Sequence, residues 1–341
     1  MALSLIIQPL PGIGDMVWHL PYIEAIAARE PGGRVDVLTK RRSLADELLR
    51  AHACVERVLW LERGEGGRGR HGGLSGYWRL AAQLRSLRYG RVWVLHHSPR
   101  YALAAWLAGI PERYGYGLGA QRLWLNDPVR LHRSMATAHP IDLAETYLEQ
   151  KGYAVRDARP RLAVDPKAAE LARSRLQGLP RPWLALGIGT SCERRQWGAD
   201  NFRRLVQLYL QCYPGTAILM GGPQDETMAR TLMQEAREDR VLPYLGQPLH
   251  EAIALLSLCD AFFGNDTGLL NVAAALGVPA WVAVGLPISA RIARPERGIH
   301  PLHPPPGLPR DETGLRAIEP QRVLQALQAV LGPAGRAGDG P

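Results

Sequence analysis

Leu3-Ser4-Leu5-Ile6-Ile7-Gln8-Pro9-Leu10-Pro11-Gly12-Ile13-Gly14-Asp15 begins with an apolar run too short for a helix, passes through a proline-bounded turn and ends on two glycines and an acid. The run reads as a buried strand, and the stretch from about Asp15 to Arg29 reads as the helix that follows it. Outward from this unit the alternation repeats. Val35 to Leu38 and Val55 to Leu61 read as strands flanking a helix near Leu44 to His52. A helix near Tyr77 to Leu87, a strand at Arg91 to Leu95, and helices near Tyr101 to Ala108 and Ala138 to Gln150 follow. Strands alternating with helix-length segments predict a parallel sheet joined by crossover helices.

Val155 to Pro182 carries Pro160, Pro166, Pro180 and Pro182 around one short helix, Lys167 to Leu176, and reads as a domain boundary. A second α/β series then begins. Its strands are Trp183 to Gly187, Thr216 to Met220, Val241 to Tyr244, Ala261 to Phe263 and Ala280 to Val284. The intervening helices lie near Asn201 to Tyr213, Asp225 to Arg237, Leu249 to Leu258 and Gly268 to Leu276. Pro301 to Pro309 reads as an extended connector, and a helix near Gln321 to Leu331 precedes a Gly/Pro tail. The expected division is 1–165, 166–318, and a closing helix within 319–332 that packs back on the first domain.

The 341 residues, 46% hydrophobic and 21% charged, are enough for two cored domains. Forty-one Lys plus Arg against 32 Asp plus Glu give a formal charge of +9 and favour anionic partners. Cys54, Cys192, Cys212 and Cys259 are scattered, without C-x-x-C or zinc-ligand spacing, and read as reduced thiols in a cytosol. The amino terminus lacks the basic start and cleavage site of a signal peptide, and no apolar run reaches membrane-spanning length, so any membrane contact is expected to be peripheral. The stretch Glu62 to Gly76 is glycine-rich and basic and reads as a surface loop; its functional alternative is a flap over a phosphorylated acceptor.

Four loops stand where open α/β sheets bind ligands, at the carboxyl ends of strands. Gly12 and Gly14 allow a tight turn before Asp15, but the third position of a dinucleotide G-x-G-x-x-G is Val17, against a nicotinamide site. Asp15 is open to two readings: a cap at a helix start, or a general base within reach of a substrate hydroxyl. In the second series, Asn265-Asp266-Thr267-Gly268-Leu269-Leu270-Asn271 leads from strand into helix and suits a diphosphate, or is only a capped helix. Ile188 to Trp197, with Thr190, Ser191 and Arg195, offers hydroxyls and guanidinium groups for phosphate. Gly221 to Glu226, with Gly222 and Asp225, offers backbone and carboxylates for ribose or base. His96-His97 ends a strand of the first series, where His97 could touch acceptor oxygens; with no third ligand visible, no metal is expected.

Five blocks resemble glycosyltransferase family nine, the lipopolysaccharide heptosyltransferases. They are Pro11-Gly12-Ile13-Gly14-Asp15 with Leu20-Pro21; Ala108-Gly109-Ile110-Pro111-Glu112-Arg113-Tyr114-Gly115-Tyr116; Arg195-Gln196-Trp197; Gly221-Gly222-Pro223; and Asp266-Thr267-Gly268-Leu269 with Ala273-Ala274-Ala275-Leu276-Gly277-Val278-Pro279. The resemblance implies a GT-B fold, two Rossmann-like doubly wound domains facing a central cleft, and an inverting, metal-independent transfer needing no cofactor. It implies Asp15 as catalytic base. It further implies a nucleotide-sugar donor, ADP-heptose, held by Thr190, Ser191, Arg195, Gly222, Asp225, Asp266, Thr267, Gly268 and Leu269. Gly12, Gly14, His97 and Arg113 would meet a lipid-linked oligosaccharide acceptor at the cytoplasmic face of the inner membrane. The chain is expected to work as a monomer without nucleic acid. Three departures are visible: Arg195 where the family commonly has lysine, Asn271 where histidine often follows the D-T-G turn, and Gln8 where a basic residue commonly ends the first strand. Two other readings are a sugar-nucleotide epimerase of the same fold and a non-catalytic nucleotide- or polyanion-binding protein.

Overall fold

The computed structural model describes residues 3–64, 66, 68–156, 158–234, 238–285 and 295–332. The last residues expected in the helix ending at Arg237, two positions of the glycine-rich loop and the terminal tail lie outside them. The chain divides into two units, Met1–Arg161 and Leu162–Pro341.

In the first unit, β1 (Ser4–Ile7), β2 (Val35–Thr39), β3 (Val55–Trp60), β4 (Arg91–Val94) and β5 (Glu112–Gly115) form one parallel sheet in the order β3-β2-β1-β4-β5. The fully buried Ser4–Ile7 run pairs with β2 on one side and β4 on the other, which is why it reads as apolar without alternation. Helices α1 (Ile13–Ala28), α2 (Ala45–Leu48), α3 (Ser75–Ser86), α4 (Pro99–Leu107) and α5 (Pro140–Gln150) connect and cover it. Leu80, Ala81 and Leu84 of α3 and Tyr101, Ala104 and Ala105 of α4 share a core with Leu5, Ile7, Val92 and Val94. Buried acids in this unit are paired: Asp36 on β2 accepts from Arg57 at 2.6 Å and Tyr89 at 2.5 Å, and Glu30 accepts from Arg91 and the Trp93 indole. The strand β5 was quoted above only as part of a motif. Glu112, Arg113 and Tyr114 are half-buried and polar and Gly115 adds no apolar side chain, so no apolar run announces it.

The second unit opens with α6 (Pro166–Leu176), capped by Asp165, whose carboxylate accepts the Ala168 N–H at 2.9 Å. Strands β6 (Trp183–Gly187), β7 (Thr216–Gly221), β8 (Val241–Leu245), β9 (Ala261–Gly264), β10 (Ala280–Ala283) and β11 (Ile299–Leu302) form a parallel sheet in the order β11-β10-β9-β6-β7-β8. Helices α7 (Ala199–Cys212), α8 (Glu226–Gln234), α9 (Leu249–Leu256), α10 (Gly268–Ala275), α11 (Glu312–Arg316) and α12 (Pro320–Leu331) complete it. From its first strand, each sheet grows to one side and then restarts on the other, as in doubly wound folds. The expected connector at Pro301 is partly strand, because β11 pairs with β10. Val323, Leu324 and Leu327 of α12 are buried in the core that also holds Leu205 and Tyr209 of α7, and this apolar stripe finds its complement there. Among the described residues no helix is long and apolar enough to cross a membrane.

Candidate functional site

In the first unit the order of connection reverses at β1, so the carboxyl ends of β1 and β4 flank the position where such sheets bind ligands. Gly12 is the amino-terminal cap residue of α1, and its N–H donates to Asp15 Oδ2 at 2.9 Å. The capping reading of Asp15 is therefore present in the structure. It occupies one of two carboxylate oxygens of a half-buried side chain. A Cβ at residue 12 would lie 2.8 Å from Oδ2, so glycine there lets the carboxylate fold back on the turn.

One helical turn on, His19 is fully buried, with Nδ1 2.7 Å from the Asp15 carbonyl. A carbonyl only accepts, so Nδ1 carries the proton and Nε2 is left as a lone pair; Nε2 is buried without a hydrogen-bond partner. Burial lowers the pKa of His19, against the pull of the Asp15 carbonyl and charge. Gln8 is also buried and accepts from Thr39 Oγ1 at 3.3 Å, so this departure from the family pattern serves as a neutral bridge between β1 and β2.

After β4, His97 is exposed and stacks on His96 with ring centroids 4.5 Å apart. His96 accepts the Ser98 N–H at Nδ1, and its carbonyl accepts from Gln121 at 2.7 Å. Burial and the neighbouring His97, His19, Lys40 and Arg63 bring the His96 pKa down to about 3. His19 and His96 are both neutral in the folded protein at neutral pH, whereas the unfolded chain takes up protons near pH 6.5. The unfolded state thus binds more protons as pH falls below 6.5, and stability is present above that value and lost beneath it, for His96 down to about pH 3. Melting temperature is expected to drop between pH 7 and pH 5, with a slope of up to about 1.4 kcal/mol per pH unit for each histidine. His96→Gln should flatten the profile, and an unchanged slope in that variant would exclude His96 as a contributor.

Arg113 does not join this edge. It sits near the amino end of β5, where its guanidinium donates to the carbonyls of Trp124 at 2.6 Å, Ile110 at 2.6 Å and Pro111 at 3.1 Å. All of these bonds hold the chain around residues 110–126.

In the second unit the three expected donor loops follow β9, β6 and β7, which are adjacent in the sheet. Asn265 joins two of them. It is fully buried; its Oδ1 accepts the Trp197 N–H at 3.0 Å, and its Nδ2 donates to Ile188 O at 2.9 Å and Gln196 Oε1 at 2.8 Å. Neither Asn265 nor Gln196 was singled out from sequence, although both lie inside quoted motifs; a side-chain amide that satisfies backbone groups across two loops is invisible without the fold.

Beside that hub, Arg195 Nη1 lies 3.3 Å from Asp266 Oδ2, the carboxylate nearly fully buried and the guanidinium about one-third exposed. Arg195 Nε is buried without a hydrogen-bond partner. Arg194, in contrast, pairs with exposed Glu312. Thr267 is the cap residue of α10, but its hydroxyl makes no capping bond to the first turn, so the N–H groups that begin at Gly268 and Leu269 are not satisfied by that side chain. Asn271, also buried, donates to the Thr267 carbonyl at 3.0 Å. Thr190 Oγ1 closes a local turn with the Cys192 N–H at 3.2 Å, and Ser191 is exposed beside it.

Gly222 and Asp225 repeat the Gly12–Asp15 arrangement: the Gly222 N–H donates to Asp225 Oδ2 at 2.8 Å, again three residues apart at a helical start. Here the carboxylate is packed against the bare backbones of Gly189 and Gly221, where a Cβ would collide with it. Burial raises the Asp225 pKa, opposed by the Gly222 N–H. Among the described residues no group of three or more His, Cys, Asp or Glu is placed to hold a metal ion.

Comparison with known proteins gives the family. The family model described as glycosyltransferase family 9 (heptosyltransferase) matches residues 77–284. Lipopolysaccharide heptosyltransferase 2 of Salmonella typhimurium is 26% identical, with 95% of this chain and 97% of that protein covered. The protein of the same name from Escherichia coli K12 is 27% identical over 94% and 96%. Among solved structures, E. coli ADP-heptose LPS heptosyltransferase II superposes with a TM-score of 0.70 at 23% identity, covering 96% of this chain and 98% of that one. A family 9 glycosyltransferase from Veillonella parvula gives 0.76 at 17% identity and 97% of both chains. These two superpositions show a shared GT-B fold. With the family match spanning more than half of its length, the chain belongs to glycosyltransferase family 9, the heptosyltransferases, and is a glycosyltransferase.

Proposed function

We propose that this enzyme transfers heptose or a related sugar from a nucleotide diphosphate sugar, with ADP-heptose the favoured donor, to a lipopolysaccharide core or similar glycan acceptor, with inversion and without a metal cofactor. The observation that carries the reading is Asp15, whose carboxylate is anchored through one oxygen at the carboxyl edge of β1. The second oxygen takes the proton of the acceptor hydroxyl as that hydroxyl oxygen bonds to the anomeric carbon. The bond from that carbon to the diphosphate oxygen breaks from the opposite face, and the leaving ADP takes the electron pair. Arg195 and the first turn of α10 would meet the negative charge that develops on the diphosphate, stabilisation that other enzymes draw from a metal. Asp225, beside Gly189 and Gly221, suits the ribose hydroxyls. The names of the curated relatives support the heptose and the lipopolysaccharide acceptor. A lipid-linked acceptor of that kind would be met at the inner face of the inner membrane.

ADP is expected to raise the melting temperature more than UDP, GDP or CDP; at a hundredfold excess over its dissociation constant the gain is about 2.7 kcal/mol. A panel in which none of the four shifts the transition removes the donor assignment. Product formation that requires an acceptor separates transfer from epimerisation, which consumes the nucleotide sugar alone.

A further inference from the structure

The stretch from Arg63 to Pro111 holds eight arginines against a single acid, Glu65, and so carries most of the chain's formal charge of +9. Arg68, Arg70, Arg79, Arg85 and Arg88 are exposed, and among the described residues none of the five is paired with a carboxylate. The same segment exposes large apolar side chains, which soluble surfaces seldom group together. Leu74 is 86% exposed, Trp78 65% and Trp106 51%.

These residues share one face. Helices α3 and α4 bury Leu80, Leu84, Ala104 and Ala105 in a common core, so the opposite sides of both point outward together. Along α3, Leu74, Trp78, Ala82 and Arg85 recur at helical spacing and are all exposed, an apolar stripe ending in a cation. The two helices are tied at both ends. The Arg100 guanidinium lies 3.9 Å over the Tyr77 ring and donates to the carbonyls of His71 and Gly73, and Arg85 donates to the Leu107 carbonyl beside Trp106.

We propose that this outer face of α3 and α4 docks on an anionic phospholipid bilayer, with Leu74, Trp78 and Trp106 entering the headgroup region and the arginines meeting lipid phosphates. Tryptophan is suited to the membrane–water boundary because its ring is apolar and its N–H polar. Shallow apolar insertion and basic charge are each weak alone and sufficient together. A second copy of the chain is the poorer occupant, since a symmetric contact would bring two arginine-rich faces together. The assignment deepens the membrane-linked acceptor reading above but rests on different residues, and its readout does not depend on sugar transfer.

Co-sedimentation of the full chain with vesicles of phosphatidylcholine, alone or mixed with phosphatidylglycerol, tests it. Binding should appear with the anionic vesicles and weaken with salt. It should fall about tenfold in the double variant Trp78→Ser, Trp106→Ser, and about fivefold for each of Arg79→Gln and Arg88→Gln, both exposed. Leu171→Ser, an exposed leucine on α6 of the second unit, should bind as the parent does. Melting temperature and turnover on a lipid-free acceptor should be unchanged throughout, which separates loss of docking from loss of fold or of catalysis. Absence of binding to anionic vesicles at low salt overturns the proposal, as does parental binding by the double tryptophan variant. A concentration-dependent dimer that dissociates in that variant, without vesicle binding, reassigns the face to self-association.

Discussion

Asp15→Asn is expected to lower the turnover number by about 10²–10⁴-fold while leaving the melting temperature and ADP affinity close to those of the parent. The choice of asparagine separates the two roles that the structure superimposes. The Gly12 N–H donates to Asp15 Oδ2, and an asparagine carbonyl can accept the same bond, so the turn that opens α1 keeps its closure. What the amide cannot do is take a proton from an attacking hydroxyl. Asp15→Ala removes both functions, and its extra loss of stability measures the cap, on the order of 1 kcal/mol. Single-turnover measurements with saturating donor and acceptor keep binding out of the comparison. Parental turnover in Asp15→Asn would show that the carboxylate is only a cap. Asp225→Asn is the natural control, because Asp225 makes the same three-residue bond to Gly222 in the second unit. It should reduce donor affinity and leave the chemical step of bound substrates nearly intact.

Asn265→Ala is expected to be the most destabilising single change in the second unit, by about 3 kcal/mol or more, and to abolish the ADP-induced thermal shift. The buried Trp197 N–H would lose its acceptor, and the Ile188 carbonyl and Gln196 side chain would lose a donor, in a place water does not reach. Trp197 is itself fully buried, stacked edge-on against Phe202 and Phe263, with its indole N–H on the Ile318 carbonyl. Loosening its backbone would therefore spread into the core. The loop that carries Arg195 would lose its register against Asp266, so donor affinity should fall by more than the stability change implies at temperatures where the protein is still folded. Chemical denaturation with and without ADP resolves the two effects. A variant within about 0.5 kcal/mol of the parent would show that these hydrogen bonds are replaced, not lost.

Periodicity and turn chemistry act over a few residues, and wherever the outcome depended only on such local terms the chain was legible by itself. The buried run Ser4–Ile7, the glycine turn after it, and the alternation of strands with helices all belong to this class. So does the placing of four candidate loops at strand ends, because a strand followed by a helix leaves its loop at the carboxyl edge whatever the neighbours are. Elements whose residues carry no local signature escaped: β5 is mostly polar and half-buried, and β11 carries Pro301 within a short edge strand. The apolar stripe of α12 specified burial, but only the fold supplies the partner it meets in its own unit, α7.

The side-chain assignments divide along the same line. Sequence marked Asp15 and Asp225 as acids near glycines, but only the folded backbone shows both carboxylates closed on a glycine N–H. It marked Arg113 as a cation in a family block, and only the packing shows its guanidinium engaged by three carbonyls. The buried Asn265 hub and the neutral His19 and His96 depend on groups far apart in the chain, on desolvation and on satisfaction of backbone donors, quantities that exist only once the loops have met. Local sequence thus determined the doubly wound architecture and where its ligand loops would stand; tertiary structure decided which side chain in each loop is free to act, because that depends on which polar groups burial leaves to be satisfied.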